Sequence, residues 1–330
     1  MISTASAAAH PNIAFIKYWG NRDQILRIPA NGSLSMNLAP LETRTTVSFD
    51  TDLKSDQLVL NGQSADEASL HRASALLDRV RALAEIDTFA RVTSDNSFPT
   101  GAGIASSASA FAALSLAAVT SLGLQLSERQ LSALARTGSG SASRSIPGGF
   151  VEWKAGNDHD SSYAETIAPP GHWDLVDFVV LVSREHKAVI SSDGHQLAGS
   201  SPLQGARVED ADRRLDICRK ALLDADFPTF AEIVELDSTL MHSVMMTSTP
   251  SLYYWEPGTL EIMNAVRSWR ASGLPVCFTI DAGPNVHLIC PASASDAVRR
   301  KISALVNVKS ILTCTPGGPA WLLEPEIPGV

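Results

Sequence analysis

A stretch rich in glycine and serine is the first part of this sequence that could do chemistry. Residues 99–109 read P-T-G-A-G-I-A-S-S-A-S and lead into small and apolar residues that predict a helix. Glycines let the backbone curve closely around a ligand, and the first N–H groups of a helix attract an anion. No G-K-[ST] follows, so this is not a Walker loop. The pattern predicts a phosphate cradle of another kind, and a closely packed, serine-capped helix start is the structural alternative.

Three charged residues elsewhere stand in settings typical of a binding site. Asp281 lies between an apolar segment and Ala-Gly-Pro-Asn, so its carboxylate either faces a ligand beside a turn or bonds the turn's own backbone. Lys17 lies within a predicted strand that is otherwise apolar at Ile13, Phe15 and Ile16, where its ammonium either reaches the surface or is held inward by a partner. Arg144 lies among small residues that leave its planar guanidinium free to bind a carboxylate through two nitrogens, although a surface position is the plain alternative.

The histidines and cysteines do not predict a metal site. His10, His195 and His242 are far apart and lack ligand spacing, so packing or surface roles are favoured. The four cysteines are scattered without a C-x-x-C pair, which argues against a disulfide framework and against structural zinc.

Composition narrows the class of protein. The 330 residues are 45% hydrophobic and 18% charged, which is typical of a globular chain long enough for about two domains. A net charge of −9 without a basic block argues against nucleic acid or an anionic membrane as partner. We find neither a membrane-spanning apolar run nor a signal-peptide pattern, so we expect a cytoplasmic location.

The elements that must position these residues alternate irregularly, which favours an α+β fold. Apolar spacing predicts an amphipathic helix over residues 66–86 and another over 127–136, and the bland run at 104–122 predicts a helix buried on all sides. Further helices are predicted at 203–225, 228–246, after 257 and near 293–306. Strands are predicted at 12–19, 44–49, 57–60, 89–93, 149–154, 176–182, 276–280, 286–290, 310–313 and 320–323, and small-residue loops at 94–103 and 137–145.

The glycine–serine stretch also resembles the ATP-phosphate loop of the GHMP kinases, P-T-x-x-G-[IL]-A-S-S-A-S. Four further segments narrow the resemblance to the diphosphomevalonate and phosphomevalonate decarboxylase branch. They are N-I-A-F-I-K-Y-W-G at 12–20, S-G-S-A-S-R-S-I-P-G-G-F-V-E-W at 139–153, M-H-S-V-M at 241–245 with Y-W-E-P at 254–257, and I-D-A-G-P-N at 280–285. Because the segments occur in order over nearly the whole chain, a chance match is improbable.

The resemblance implies a two-domain α+β GHMP kinase fold. It would have a ribosomal-protein-like N-terminal domain over residues 1–170, a ferredoxin-like C-terminal domain over 171–330, and the active site in the cleft between them. The boundary coincides with the loop Ala168-Pro169-Pro170-Gly171. A homodimer is a further expectation from the family.

The resemblance also implies an ATP-dependent decarboxylation of a phosphorylated mevalonate, with Mg²⁺ bound through the ATP oxygens. ATP phosphorylates the tertiary hydroxyl, phosphate then leaves with carbocation character, and loss of CO₂ completes an alkene. Asp281 would orient or deprotonate the hydroxyl and pair with Lys17, near the substrate carboxylate that Arg144 could bind. The matching substrate-binding residues are Asn12, Tyr18, Ser139, Ser141 and Ser192, although each serine could also be a turn or cap residue. The matching ATP-binding residues are Pro99, Gly101, Gly103, Ala105, Ser106, Ser107 and Ser109.

Three departures from the family pattern concern the substrate's phosphate group. Asn21 stands where diphosphate-using members usually carry lysine, Asp193 stands where some members place a cation, and the family's N-S-S reads Asn31-Gly32-Ser33. A diphosphate carries about one more negative charge than a monophosphate. The departures therefore favour mevalonate 5-phosphate as substrate and isopentenyl phosphate as product. The diphosphate stays the alternative, because His195, Arg22 or Arg27 could compensate.

Other classes of function fit less well. A mevalonate 3-kinase would be expected to lose the Lys17 and Asp281 arrangement, and a ligand sensor would be expected to have a damaged phosphate loop. A nucleic-acid binder disagrees with the negative charge.

Overall fold

The computed structural model describes residues 3–98, 106–183 and 191–324, with the backbone alone for residues 191 and 192. Within these ranges the strands are β1 Ser3–Ala9, β2 Asn12–Ile16, β3 Asn21–Asp23, β4 Ile28–Pro29, β5 Ser33–Ala39, β6 Thr43–Phe49, β7 Gln57–Leu60, β8 Gln63–Ser64, β9 Ala90–Asn96, β10 Phe150–Trp153, β11 Ala164–Ala168, β12 Leu175–Leu181, β13 Cys277–Thr279, β14 Val286–Pro291, β15 Ser310–Pro316 and β16 Trp321–Leu322. The helices are α1 Glu67–Ala84, α2 Ser106–Ser121, α3 Glu128–Gly138, α4 Ser191–Leu197, α5 Gln204–Glu209, α6 Ala211–Leu223, α7 Phe227–Met246, α8 Pro257–Ala271 and α9 Ser295–Ile302. Short 3-10 helices cover Gly140–Ser145, Pro170–His172, Ala198–Ser200 and Ala292–Ala294.

A six-stranded sheet in the order β16-β1-β6-β9-β7-β8 forms the first layer. Helix α2 lies directly on β1 and β6, with α1 and α3 beside it. Alanine and serine along α2 leave no bulky side chain to separate the helix from the sheet, so most of the helix is buried. This packing fixes the position of α2 on the sheet, and with it the positions of Ser106 and Ser107.

The second sheet runs in the order β11-β10-β5-β15-β12-β14-β13, with β2 paired to β5. In chain order its last four strands are β12, β13, β14 and β15, and they stand side by side as 4-1-3-2. Helices connect β12 to β13 and β14 to β15, whereas β14 follows β13 directly. That arrangement is ferredoxin-like, as predicted. The fold is α+β and confirms the expected class.

The second sheet crosses the predicted domain boundary without a break. Strand β5 pairs with β15 through Ala39 opposite Thr315 and Leu38 opposite Pro316. Helix α7 packs on both β2 and β13. The division into residues 1–170 and 171–330 stays a prediction, and the strand pairing joins the two parts through one sheet.

The periodic helices were predicted best. Helix α1 begins after Asp66, whose carboxylate accepts a hydrogen bond from the Ser69 N–H, and α3 begins at a capping box of Ser127 and Gln130. The single helix predicted over 203–225 is wrong, because the chain forms α5 and α6 with Asp210 between them. The loop predicted over 137–145 is also wrong, since Gly140–Ser145 is a 3-10 helix. Helix α4 and strand β11 were not predicted.

The described helices include none that is both long and apolar enough to cross a membrane. All four cysteines are buried and free.

Candidate active site

Lys17 and Asp281 form an ion pair where two strands of the second sheet end. Lys17 directly follows β2 and Asp281 lies two residues beyond β13, and the lysine Nζ is 2.6 Å from Oδ1 of the aspartate. The Lys17 side chain is 1% exposed, whereas that of Asp281 is 27% exposed. The carboxylate therefore keeps one side open to a ligand, and the lysine lies behind it.

The charges around this pair keep the carboxylate ionised. Burial tends to raise the pKa of Asp281, but the positive charges of Lys17 and Arg144 among others lower this pKa below its ordinary value. Burial lowers the pKa of Lys17, and the negative charges of Asp281 and Asp237 oppose that change. An ionised Asp281 can accept a hydrogen bond from a substrate hydroxyl.

Arg144 is a buried cation held by neutral partners. Its Nε and Nη2 donate to Oδ1 of Asn12 at 3.1 and 2.9 Å, and its Nη1 donates to the Ser33 hydroxyl at 2.9 Å. No carboxylate of the described residues lies within ion-pair distance of it. Burial lowers its pKa to about 10, and the negative charge of Asp281 opposes this. A buried guanidinium without a counterion favours an anionic ligand.

Asn12 positions the arginine. Its amide nitrogen donates to the Ser141 carbonyl at 3.1 Å and to the Ser145 hydroxyl at 2.8 Å, while its carbonyl oxygen accepts from Arg144. The structure therefore gives Asn12 partners in the 3-10 helix Gly140–Ser145. A direct contact between Asn12 and a substrate stays a prediction.

Three serine hydroxyls connect the start of α2 with Ser139, which follows α3, and with Ser141 of the 3-10 helix Gly140–Ser145. Ser107 Oγ lies 3.2 Å from Ser139 Oγ, which lies 3.4 Å from Ser141 Oγ. The structure thus brings predicted ATP-binding and substrate-binding residues together. Such a row of hydroxyl donors can bind the oxygens of two neighbouring phosphate groups, one on a phosphoryl donor and one on the molecule that accepts the phosphoryl group.

Of the remaining predicted ATP-binding residues, only Ser106 and Ser109 lie within the described part of the chain. Pro99, Gly101, Gly103 and Ala105 lie outside the described residues. Ser106 is the first residue of α2. Ser109 is fully buried, and its hydroxyl bonds that of Thr43 at 2.6 Å and the Ser106 carbonyl at 3.2 Å. A bond from Ser109 to a nucleotide would require these contacts to break, so its present contacts instead support the start of the helix.

Tyr18 lies in an aromatic cluster beside this row. Its ring stacks on that of His195 with centroids 4.1 Å apart and meets Trp153 edge-on at 4.7 Å. Its hydroxyl donates to Oδ1 of Asn21 at 2.5 Å, and burial raises its pKa to about 12. A Cβ at Gly140 would lie 2.6 Å from the Tyr18 ring, so glycine is needed for this close approach.

His195 is uncharged at neutral pH. Its Nδ1 accepts a hydrogen bond from the Gly20 N–H at 3.0 Å, and its ring lies against Trp19 at 4.5 Å. Burial and the positive charges of Arg27, Arg207 and Arg144 lower its pKa to about 3. This histidine therefore adds no positive charge for a substrate phosphate. Its neighbour Ser192 was also predicted as a site residue, but that side chain lies outside the description.

Arg22 and Arg27 belong to the same β3–β4 hairpin but have different surroundings. Arg22 donates to the Pro29 carbonyl, to Asn157 and to the Gly156 carbonyl. Arg27 donates through Nε to the Thr137 carbonyl at 3.1 Å, next to the serine row. The ion pairs of the described residues do not include Arg27.

A cavity of about 260 Å³ opens beside the start of α2. Its lining includes Ser106 and Ser107, apolar residues such as Phe111, and the cation Arg72. Burial and the charge of Arg27 lower the pKa of Arg72 to about 10. Mostly apolar walls that include a cation suit a flat heterocycle attached to phosphates.

The sequence analysis missed Ser33 and Arg72. Ser33 could have been found, since it lies in the Asn31-Gly32-Ser33 segment that was matched to the family. Arg72 lies on an ordinary amphipathic helix and carries no comparable signal.

The other two histidines contact neighbouring groups of the protein. His10 Nδ1 lies 2.6 Å from the Leu41 carbonyl, and the His242 ring lies 4.9 Å from that of Trp255. The described residues do not group three metal-ligating side chains of His, Cys, Asp or Glu.

A family model described as the diphosphomevalonate decarboxylase-like N-terminal domain matches residues 9–164, and one for the mevalonate 5-diphosphate decarboxylase C-terminal domain matches residues 178–318. Diphosphomevalonate decarboxylase mvd1 of Aspergillus fumigatus is 38% identical over 92% of this chain and 80% of its own length. Phosphomevalonate decarboxylase of Haloferax volcanii is 34% identical over 97% of this chain and 98% of its own length. The structure of MDDEF in complex with MVAPP, AMPPCP and magnesium has a TM-score of 0.94 and 38% identity, and the match covers 98% of this chain and 100% of that chain.

Proposed function

Since the chain belongs to the diphosphomevalonate decarboxylase family of ATP-dependent lyases, we propose that it converts mevalonate 5-phosphate to isopentenyl phosphate. Membership confirms the resemblance carried by the five ordered motifs. The Haloferax relative bears the monophosphate name and the Aspergillus relative the diphosphate name, so the family fixes the reaction class and leaves the phosphate count to the site.

ATP is the phosphoryl donor in this proposal. The MDDEF complex contains AMPPCP, an ATP analogue, and magnesium. The N-terminus of α2 with Ser106 and Ser107 would bind the phosphates, and the adjoining cavity would hold the base. Mg²⁺ bound to phosphate oxygens would reduce the negative charge on the group being transferred.

Asp281 acts on the substrate's 3-hydroxyl. Its exposed carboxylate oxygen accepts the hydroxyl hydrogen and aims the oxygen at the terminal phosphate of ATP. A carboxylate with a lowered pKa is a weak base, so alignment is its main contribution, and it takes the proton as the new P–O bond forms. A loose phosphoryl-transfer transition state needs little more than this from a base.

Arg144 and Lys17 control the second half of the reaction. Arg144 binds the substrate carboxylate, since none of the carboxylates in the described part of the chain forms an ion pair with this arginine. When the 3-phosphate leaves with the C–O bonding electrons, the carbon it leaves becomes electron-poor. The electrons of the C–COO⁻ bond then form the alkene and CO₂ departs. Lys17 lies behind Asp281, and its ion pair keeps that carboxylate in place throughout both steps.

The observation that carries the monophosphate proposal is the contact between Tyr18 and Asn21. The amide of Asn21 accepts from the tyrosine hydroxyl and donates to Gln24, and it brings no charge to the position that is usually lysine. His195 is neutral and Arg22 is directed at residues 156–157. Of His195, Arg22 and Arg27, which could compensate for the missing lysine, only Arg27 then supplies a positive charge to bind the substrate's phosphate.

Use of the diphosphate is the second candidate function. The diphosphate names of the Aspergillus relative and of the C-terminal family model favour it. It requires Arg27 and Arg72 to supply the countercharge for both phosphates.

A parallel assay separates the candidates. ADP and CO₂ formation are measured with mevalonate, its 5-phosphate and its 5-diphosphate. We expect the kcat/KM for the monophosphate to exceed that for the diphosphate by at least about tenfold, equivalent to roughly 1.4 kcal/mol. A preference for the diphosphate would overturn the substrate proposal, and ADP without CO₂ would indicate a mevalonate 3-kinase.

A homodimer and a cytoplasmic location stay predictions. Sedimentation at several protein concentrations tests whether the protein forms a homodimer.

A further inference from the structure

Helix α7 contacts the backbone on both sides of the ion pair. It packs against β2, which ends before Lys17, and against β13, which ends before Asp281. The sequence analysis singled out its last turn as M-H-S-V-M, and the reaction described above does not use that motif. Three polar side chains of α7 nevertheless form hydrogen bonds with the backbone next to the ion pair. They belong to Asp237, Ser238 and His242.

Asp237 holds the peptide of Lys17. Its Oδ2 accepts the Lys17 N–H at 2.6 Å, and its Oδ1 accepts from Nε of Arg214 at 2.7 Å. Both Asp237 and Arg214 are fully buried. On the other side of the same residue, Arg207 donates to the Lys17 carbonyl at 2.7 Å. The backbone of Lys17 is thus fixed by charged side chains, which make stronger hydrogen bonds than neutral ones.

Ser238 and His242 hold the peptide of Ile280, the residue before Asp281. The Ser238 hydroxyl accepts the Ile280 N–H at 2.9 Å and donates to the Ile280 carbonyl at 3.3 Å. His242 Nε2 lies 3.3 Å from the same carbonyl and must carry the hydrogen, because a carbonyl only accepts. The two residues are four apart, so they lie on one face of the helix.

We propose that α7 is the positioning element of the active site, with Asp237, Ser238 and His242 setting the distance between Lys17 and Asp281. The inference rests on the proposed ATP-dependent decarboxylation but not on the phosphate count. Asp237 contacts the peptide of Lys17, whereas Ser238 and His242 contact that of Ile280. None of the three residues is placed on the substrate. They act through Lys17 and Asp281, and displacements of about 1 Å in a reacting group can cost a hundredfold in rate.

Ser238→Ala tests the inference, with Ser243→Ala as the matched control. Ser243 lies on the same helix, but its hydroxyl bonds only the Thr239 carbonyl of that helix at 2.9 Å among the contacts of the described residues. For Ser238→Ala we expect kcat to fall by about tenfold or more, with the KM for ATP and the melting temperature close to those of the control. Ser238→Thr keeps the hydroxyl and should restore most of the rate.

The assay uses whichever phosphorylated mevalonate the unaltered protein decarboxylates, so failure of the proposed function would be seen first as absence of CO₂ from that protein. If the unaltered protein is active and Ser238→Ala matches Ser243→Ala, the inference is wrong. If Ser238→Ala does not fold, His242→Gln is compared with His242→Leu. Glutamine can still donate to the Ile280 carbonyl, so it should retain at least about fivefold more kcat than leucine, and equal losses would overturn the inference.

Discussion

Asp281 combines an ion pair on one side with exposure on the other, and this makes it the most informative residue to change. For Asp281→Asn we expect kcat to fall by about a thousandfold or more, because a neutral amide cannot accept the hydroxyl proton. The Kd for ATP should change by less than about twofold, since the proposed ATP contacts lie on α2. Release of ADP and CO₂ measures the first quantity and calorimetry the second.

A suitable control is Asp216→Asn, which removes a carboxylate whose side chain is 71% exposed on α6. It should leave kcat unchanged. An Asp281→Asn protein that turns over within about tenfold of the unaltered protein would show that the carboxylate is not the key group.

Arg27 and Arg22 provide a matched pair for testing phosphate recognition. Arg27→Gln should raise the KM for mevalonate 5-phosphate by about tenfold or more, because it removes the cation next to the serine row, whereas kcat should change less. Arg22→Gln removes the same charge from the same hairpin but only contacts to residues 29 and 156–157 among those described, so its KM should stay within about twofold.

Steady-state kinetics with varied phosphorylated substrate provide the measurement. Equal KM values for the two variants would exclude Arg27 as the phosphate-binding cation.

At the residue scale, sequence reasoning singled out Lys17, Asp281 and Arg144 as candidate site residues, and the structure adds how Arg144 is held. The family motifs predicted the pairing of Lys17 with Asp281 although the two residues are 264 positions apart in the chain. No local pattern links Arg144 to Ser33, which lies 111 positions away, because such a contact is created only when β5 pairs with β10. Residue types predict what chemistry is available, and long-range pairing decides which side chains meet.

At the scale of elements, the 3-10 helix Gly140–Ser145 lies directly against the Tyr18 ring. Gly140→Ala should push the ring away from His195 and raise the KM for the phosphorylated substrate several-fold, because the new methyl would lie 2.6 Å from a ring carbon. Gly205→Ala, in helix α5, meets nothing within 4 Å and should leave both KM and stability nearly unchanged or slightly improved.

Substrate kinetics and thermal unfolding distinguish the two variants. If Gly140→Ala keeps the KM of the unaltered protein, the ring position does not matter for binding.

Helices in which apolar residues recur at regular spacing could be predicted from the sequence. Element boundaries that depend on side-chain contacts could not. Helices α1 and α3 show clear amphipathic spacing and side-chain caps, and both were predicted within a few residues. The break between α5 and α6 was not, because the interval 203–225 contains neither glycine after Gly205 nor proline to signal it. At Asp210 the carboxylate bonds Arg213 and Arg214 of α6, and this anchors the second helix at its start.

At the scale of the whole molecule, the shared sheet predicts cooperative unfolding. Because β5 pairs with β15 and β1 pairs with β16, neither part of the chain completes its sheets alone. We therefore expect a single transition in urea, with tryptophan fluorescence and far-ultraviolet circular dichroism giving coincident curves. Measurement at several protein concentrations controls for dissociation of a dimer. Two separated transitions would support independent domains at 1–170 and 171–330.

The pairing of β1 with β16 also has a consequence for synthesis on the ribosome. Ala7 and Ala8 lie opposite Leu322 and Trp321, so strand partners at the two ends of the chain are made at opposite ends of translation. A nascent chain that already contains the whole nucleotide cradle still lacks β16, the partner of β1, and β15, one of the strands that pair with β5. We expect such a chain to need shielding by chaperones until β15 and β16 emerge from the ribosome.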